Sequence, residues 1–119
     1  MSSVSVEVYG LPHCTTCQRA LQYLRDRGVS VSQFRDLKAE PLQRSEVEEL
    51  VRKVGGPEKL FSRRAMKYRQ MGLHERDLTD DDLLRLMTEE YTFVARPVIV
   101  RGQRATAGFS EKRFDELIR

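Results

Sequence analysis

Apolar residues recur along this chain at two spacings, and the switches between them mark the elements. Val4, Val6 and Val8 alternate with Ser5, Glu7 and Tyr9, a period-2 run of β-branched residues that predicts a strand. Gly10, Leu11, Pro12 and His13 break it. Over residues 15–27 the spacing is helical, with Cys17, Ala20, Leu21 and Leu24 on one face and Gly28 placed to end the helix. Val29, Val31 and Phe34 predict a second short strand. Strand, helix and strand within about 35 residues form a βαβ unit, whose strands are parallel and whose crossover is right-handed.

A polar connection follows over residues 36–41, then an amphipathic helix over 45–53 with Val47, Leu50, Val51 and Val54 inward, ended by Gly55-Gly56-Pro57. The weakly patterned stretch 58–72 reads as a short turn over 59–61 and a basic helical piece over 65–71. Thr79 caps the next helix, with Asp82 at the third position of a capping box and Asp80, Asp81 and Asp82 on the positive end of the helix dipole. Leu83, Leu84, Leu86 and Met87 supply its apolar face. Residues 98–100 and 104–107 are strands joined by Gly102-Gln103, a tight-turn pair. Ser110 caps a last helix carrying Phe114, Leu117 and Ile118. The summed class is α/β: βαβ, then helices, then a β-hairpin and a helix, with no internal repeat or linker.

Composition narrows the possibilities. At 119 residues and 39% hydrophobic content the chain suits one domain. Lys+Arg (21) nearly balances Asp+Glu (18), which argues against a disordered polyelectrolyte. Balanced charge, no block of five like charges and no basic reading helix argue against direct binding to nucleic acid. No apolar run is long enough to span a bilayer, so no membrane partner is expected. Met1-Ser2-Ser3-Val4 has neither the charged nor the apolar region of a signal peptide, so the expected location is cytoplasmic. In that compartment two cysteines are a reactive or metal-binding pair rather than a staple. The only histidines are His13 and His74, too few further ligands for a metal, and none is expected.

Cys14-Thr15-Thr16-Cys17 is the sharpest chemical signal. It follows the first strand and opens the first helix, where free backbone N–H groups and a partial positive charge favour a thiolate at Cys14. Thr15 and Thr16, in that first turn, join the candidate oxyanion site. Cys17, one turn further in, reads either as a second catalytic thiol able to attack a sulfur on Cys14 or as a small buried apolar residue. Protonated, His13 would favour the thiolate further; as a loop residue it would do little. His74 lies in a polar turn and reads as structural or exposed. Arg96-Pro97 is the second signal: Pro97 precedes a strand, the position where a sheet tolerates proline, and a cis bond there would set Arg96 beside the cysteine loop, able to grip an oxyanion. Ser62, Arg63 and Arg64, with Lys67 and Arg69, form the densest basic cluster, fit for an oxyanion, glutathione or an acidic protein surface.

Taken together, Tyr9-Gly10-x-Pro12-x-Cys14-x-x-Cys17, Lys59-Leu60-Phe61-x-x-Arg64, Tyr68-Arg69-x-x-Gly72-Leu73, Leu78-Thr79-x-Asp81, Arg96-Pro97-Val98-Ile99-Val100 and Gly108-Phe109 resemble the ArsC/Spx family over nearly the whole chain. The resemblance implies a thioredoxin/glutaredoxin-like core with a mixed sheet and a helical insertion at about residues 40–92. In the family's glutaredoxin-linked arsenate reductases the catalytic cysteine corresponds to Cys14 and three arginines hold arsenate. One falls on Arg96. A second falls on Ser62, with Arg63 and Arg64 adjacent. The third falls near Gly108, where Arg104 is the nearest arginine. The implied activity is reduction of arsenate to arsenite through a Cys14–arsenic intermediate, with no bound cofactor and with glutathione and glutaredoxin, or thioredoxin, as electron donor. The family's Spx-type regulators instead dock on the C-terminal domain of the RNA polymerase α-subunit and use the same cysteine pair as a redox switch. A general thiol oxidoreductase acting on disulfides is a third member of the set.

Overall fold

The computed structural model describes residues 4–119. Its elements are β1 (Ser5–Gly10), α1 (Thr15–Asp26), β2 (Ser30–Asp36), α2 (Arg44–Val54), α3 (Pro57–Leu60), α4 (Met66–Gln70), α5 (Asp80–Glu89), β3 (Val98–Arg101), β4 (Arg104–Ala107) and α6 (Glu111–Ile118), with 3-10 turns at Leu73–Glu75 and Tyr91–Phe93. Two compact units emerge. One runs through Glu40 and resumes over Arg96–Arg119; the other is Pro41–Ala95. Among the described residues no helix is long and apolar enough to cross a membrane.

The first unit holds the sheet, in the order β2-β1-β3-β4. β1 and β2 are parallel, while β3 runs antiparallel to both β1 and β4. This is the mixed βαβ…ββα sheet of the thioredoxin-like fold. Alternation in β1 turns Val6 and Val8 to one face, and the register sets Ile99 against Val8. These side chains join Ala20 and Leu24 of α1, Val29, and Phe114 and Leu117 of α6 in one core. Tyr23 ties the two helices together: its hydroxyl donates to Asp115 at 2.7 Å and its ring packs against Phe109 and Phe114.

One detail bears out the sequence pattern and another differs from it. α1 ends at Asp26 with Arg27 as its cap, and Gly28 follows with φ of 73°, donating its N–H to Arg25. β2 is an edge strand, so Val31 stays 37% exposed and Leu21, expected inward, is half-buried beside it along an open groove.

In the second unit α2 buries Val47 and Leu50 and stops at Gly55, whose φ of 97° suits glycine. The capping box of α5 forms: the Thr79 hydroxyl accepts from Asp82 N–H at 3.1 Å and the Asp82 carboxylate accepts from Thr79 N–H at 2.9 Å. The expected turn at 59–61 is instead the helical turn α3, started by Pro57 at a first helical position that needs no N–H. α4 buries nothing. Phe61 stacks on Phe93 at 5.3 Å and bridges to Val94, tying the segment after α3 to the C-terminal end of this unit. The 3-10 turns carry no readable period, being three residues each.

Because Phe114 is fully buried between α1 and the sheet, Phe114→Ala should lower the unfolding free energy by about 3–5 kcal/mol in urea titration. Lys112→Ala, exposed in the same helix, should change it by less than about 0.5 kcal/mol.

Candidate active site

The site grows from the end of β1. Cys14 N–H donates to the Leu11 carbonyl at 3.3 Å, closing a turn, and the Gln18 side chain holds the Pro12 carbonyl at 3.1 Å. The loop therefore delivers Cys14 to the cap position of α1, where its Sγ accepts from Cys17 N–H at 3.4 Å. Burial raises the Cys14 pKa, but the backbone and thiol of Cys17, the backbone of Thr16 and the charge of Arg96 together hold it below the ordinary thiol value. These are the donors and the cation that a thiolate requires.

Cys17 is the opposite case. It is 1% exposed, and its pKa is pushed up to about 11. Burial is the main cause; the Leu11 backbone opposes it, and the neighbouring Cys14 adds to it. Both thiols are free. The pair is thus polarised, the half-exposed sulfur being the more acidic and the buried one the less.

Gly10 makes room for this arrangement. A Cβ at Gly10 would stand 2.8 Å from Cys17 Sγ, closer than real contacts allow. In the sequence this residue reads only as a strand breaker. The available signal is a glycine at the last strand position before a cysteine loop, where close backbone approach is the usual cause.

Arg96 reaches the same place from β3. The Arg96–Pro97 bond is cis, Pro97 is buried, and Val98 pairs with Tyr9, one residue before the end of β1. Nε and Nη1 of Arg96 are buried and have no hydrogen-bond partner among the described residues. Buried donors left unmade cost about 1–3 kcal/mol each, more for charged groups, and in a native structure such donors are met by an ordered water, an ion or a ligand. An unpaired guanidinium beside a thiolate at a helix start is suited to binding an anion and attacking it.

The other expected residues are dispersed. His13 and Thr15 are exposed and Thr16 half-buried. Arg63 and Arg64 belong to the second unit, whereas Cys14 and Arg96 belong to the first. The Arg63 guanidinium is engaged within its own unit, by Glu58 at 2.8 Å and the Tyr68 hydroxyl at 2.9 Å. Arg64 is exposed, its N–H donating to the Ser62 hydroxyl at 3.3 Å. Lys67 pairs with Glu90, and exposed His74 lies 3.7 Å from the Glu75 carboxylate. Arg104 pairs with Arg101 at the turn of the hairpin, the far end of β3 from Pro97. Its guanidinium donates to the Leu117 carbonyl at 3.3 Å, so it secures the end of α6 together with Arg101. Among the described residues no three or more His, Cys, Asp or Glu side chains cluster to hold a metal.

Comparison with known proteins agrees with this geometry. The model of the ArsC family matches residues 9–117. The chain belongs to the ArsC family. An uncharacterized protein of Bacillus subtilis, YusI, is 29% identical over 116 residues, covering 95% of this chain and 98% of its own length. The global transcriptional regulator Spx of the same organism is 27% identical over 107 residues, covering 89% and 81% respectively. Among solved structures, an arsenate reductase from Vibrio cholerae superposes with a TM-score of 0.84 at 22% identity, over 98% of this chain and 99% of that one, a likeness of fold. This ArsC-family protein therefore has a sequence relative under a regulator name and shares its fold with a protein named as an arsenate reductase.

Iodoacetamide should alkylate Cys14 with a rate that rises with pH and levels off below the ordinary thiol pKa, because the reactive thiolate forms there, while Cys17 stays unlabelled until the chain unfolds. Arg96→Ala should shift the Cys14 midpoint upward, since it removes a stabilising charge. Gly10→Ala should cost about 1–3 kcal/mol by overpacking, and adding Cys17→Ala should recover most of that loss.

Proposed function

We propose that this protein is a thiol-dependent arsenate reductase. The observation that carries the reading is the pair of buried, unpartnered Arg96 donors beside the low-pKa Cys14 sulfur. Arg96 and the backbone N–H groups at the start of α1, in the first turn with Thr15 and Thr16, hold the oxyanion. The Cys14 thiolate attacks arsenic, an As–S bond forms, and an arsenate oxygen leaves as water after protonation. The thiolate of a second thiol then attacks Cys14 Sγ. The As–S bond breaks with its electron pair going to arsenic, which passes from As(V) to As(III) and departs as arsenite. Cys14 is left in a mixed disulfide. Glutathione is the second thiol, because Cys17 is protonated and buried, and a glutaredoxin or thioredoxin dithiol returns Cys14 to the thiol.

The test is arsenate-dependent NADPH oxidation coupled to glutathione and glutaredoxin, and separately to thioredoxin. Cys14→Ser should abolish turnover, Arg96→Ala should reduce kcat/KM by about 10²–10³-fold, and Cys17→Ser should retain turnover with glutathione. Absence of turnover in the unaltered protein with either relay would refute the reading. One observation favours a second reading, a redox-controlled regulator: the 27% identity to Spx extends over 89% of this chain. That reading expects the C-terminal domain of the RNA polymerase α-subunit to be retained by the protein in a manner that depends on Cys14–Cys17 oxidation, without arsenate turnover.

A further inference from the structure

Two edges bound the sheet, and they are guarded unequally. β4 is four residues long and begins on Arg104. β2 is seven residues long, and residues 28–34 carry no charge although a third of the chain is charged. A bare sheet edge offers unpaired N–H and C=O groups to another strand, and short length or charge commonly blunts it. The middle of β2 has neither.

β2 does contain a bulge. Val6 pairs with Val31 and Glu7 with Gln33, so Ser32 is an added residue, its hydroxyl donating to the Val6 carbonyl at 3.2 Å. The bulge builds an apolar face. Val31 and Phe34, three positions apart, would point to opposite faces of a regular strand. Set against Val6 and Val8, they share the face on which Ala20 and Leu24 of α1 pack. Beside α1 they leave a groove of about 380 Å³, lined chiefly by Leu21, Val29, Val31 and Phe34, with Arg25 on its wall.

Charge selects the occupant. Arg25 is exposed at the Ser30 end of β2, and among the described residues its guanidinium meets no carboxylate. Asp36 ends the strand on the same face as Phe34, its carboxylate held by the N–H groups of Lys38 at 2.9 Å and Ala39 at 3.2 Å. A strand running antiparallel to β2 reverses this order. A second β2 therefore brings an Asp36 to Arg25 and an Arg25 to Asp36, with the uncharged stretches side by side between them. The net charge of +3 per copy adds little repulsion.

We propose that the outer edge of β2 and the groove beside it form the interface between two copies of this chain, the β2 strands antiparallel and Arg25 of each copy meeting Asp36 of the other. The two sheets then run on as one, and Val31 and Phe34 of both copies cover each other.

The experiment is sedimentation equilibrium of the full chain from micromolar to near-millimolar concentration. The unaltered protein should pass from monomer to dimer, less readily as salt rises. Val31→Lys should raise the dissociation constant at least about tenfold, by setting like charges together at a bare edge. Arg25→Glu should raise it about tenfold and invert the salt dependence, since two ion pairs become two like-charge contacts. Arg25→Lys and Lys112→Glu, the latter on exposed α6 surface, should match the unaltered protein. Far-UV circular dichroism and the Cys14 alkylation rate should be the same in every variant, which separates loss of the interface from loss of the fold. A monomer at every concentration would overturn the proposal, as would a dimer that Val31→Lys and Arg25→Glu both leave unchanged.

Discussion

The pairing of Tyr9 with Val98 is the constraint on which the site depends. It fixes β1 and β3 antiparallel, so the C-terminal end of one meets the N-terminal end of the other. The loop leaving β1 carries Cys14, and the residues entering β3 are Arg96 and Pro97. Though far apart in sequence, they are set on one edge by a short ladder. A slip of one residue would turn Val8 and Ile99 out of the core, so the register is enforced by burial rather than by the site. The core formed by α1, α6 and the sheet therefore serves the chemistry indirectly, by making any other register costly.

On that edge the two cysteines owe their difference to environment. Each is a thiol of the same intrinsic acidity. Cys14 sits at the helix cap, where donors converge and solvent reaches it; Cys17 sits one turn down, in contact with the Gly10 backbone and sealed from solvent. The hydrogen bond between them lowers one pKa and raises the other, so the contact that stabilises the nucleophile also keeps its neighbour protonated.

Much of this is legible in the sequence. The period-2 run ending at Gly10, the helical spacing after Cys14, the Thr79 and Ser110 caps and the hairpin over 98–107 all appear as elements, because each rests on local patterning or turn chemistry. What is not legible depends on long-range contact. Val31 reads like Val6 and Val8, but β2 is an edge strand, and no local pattern distinguishes an edge from a centre. α3 reads as a turn because four residues give no period. For the site, Cys14 and Arg96 stand out through their neighbours, Cys17 and Pro97. Gly10 does not, since its importance lies in a contact with a sulfur seven residues on. Arg63 and Arg104 look like anion binders because a charge count cannot show which guanidinium already has a partner.

That last distinction separates structural arginines from functional ones here. Arg104 and Arg101 meet the carbonyls of a helix end, where cations are favoured and backbone acceptors need donors. Arg63 meets a carboxylate and a phenol. In each case the donors are matched inside the protein, and recruiting them for a ligand would first require breaking those bonds. Arg96 has nothing to break. Its buried donors would raise the energy of an empty site and lower the relative cost of filling it, so the same unsatisfied geometry would favour an anion there.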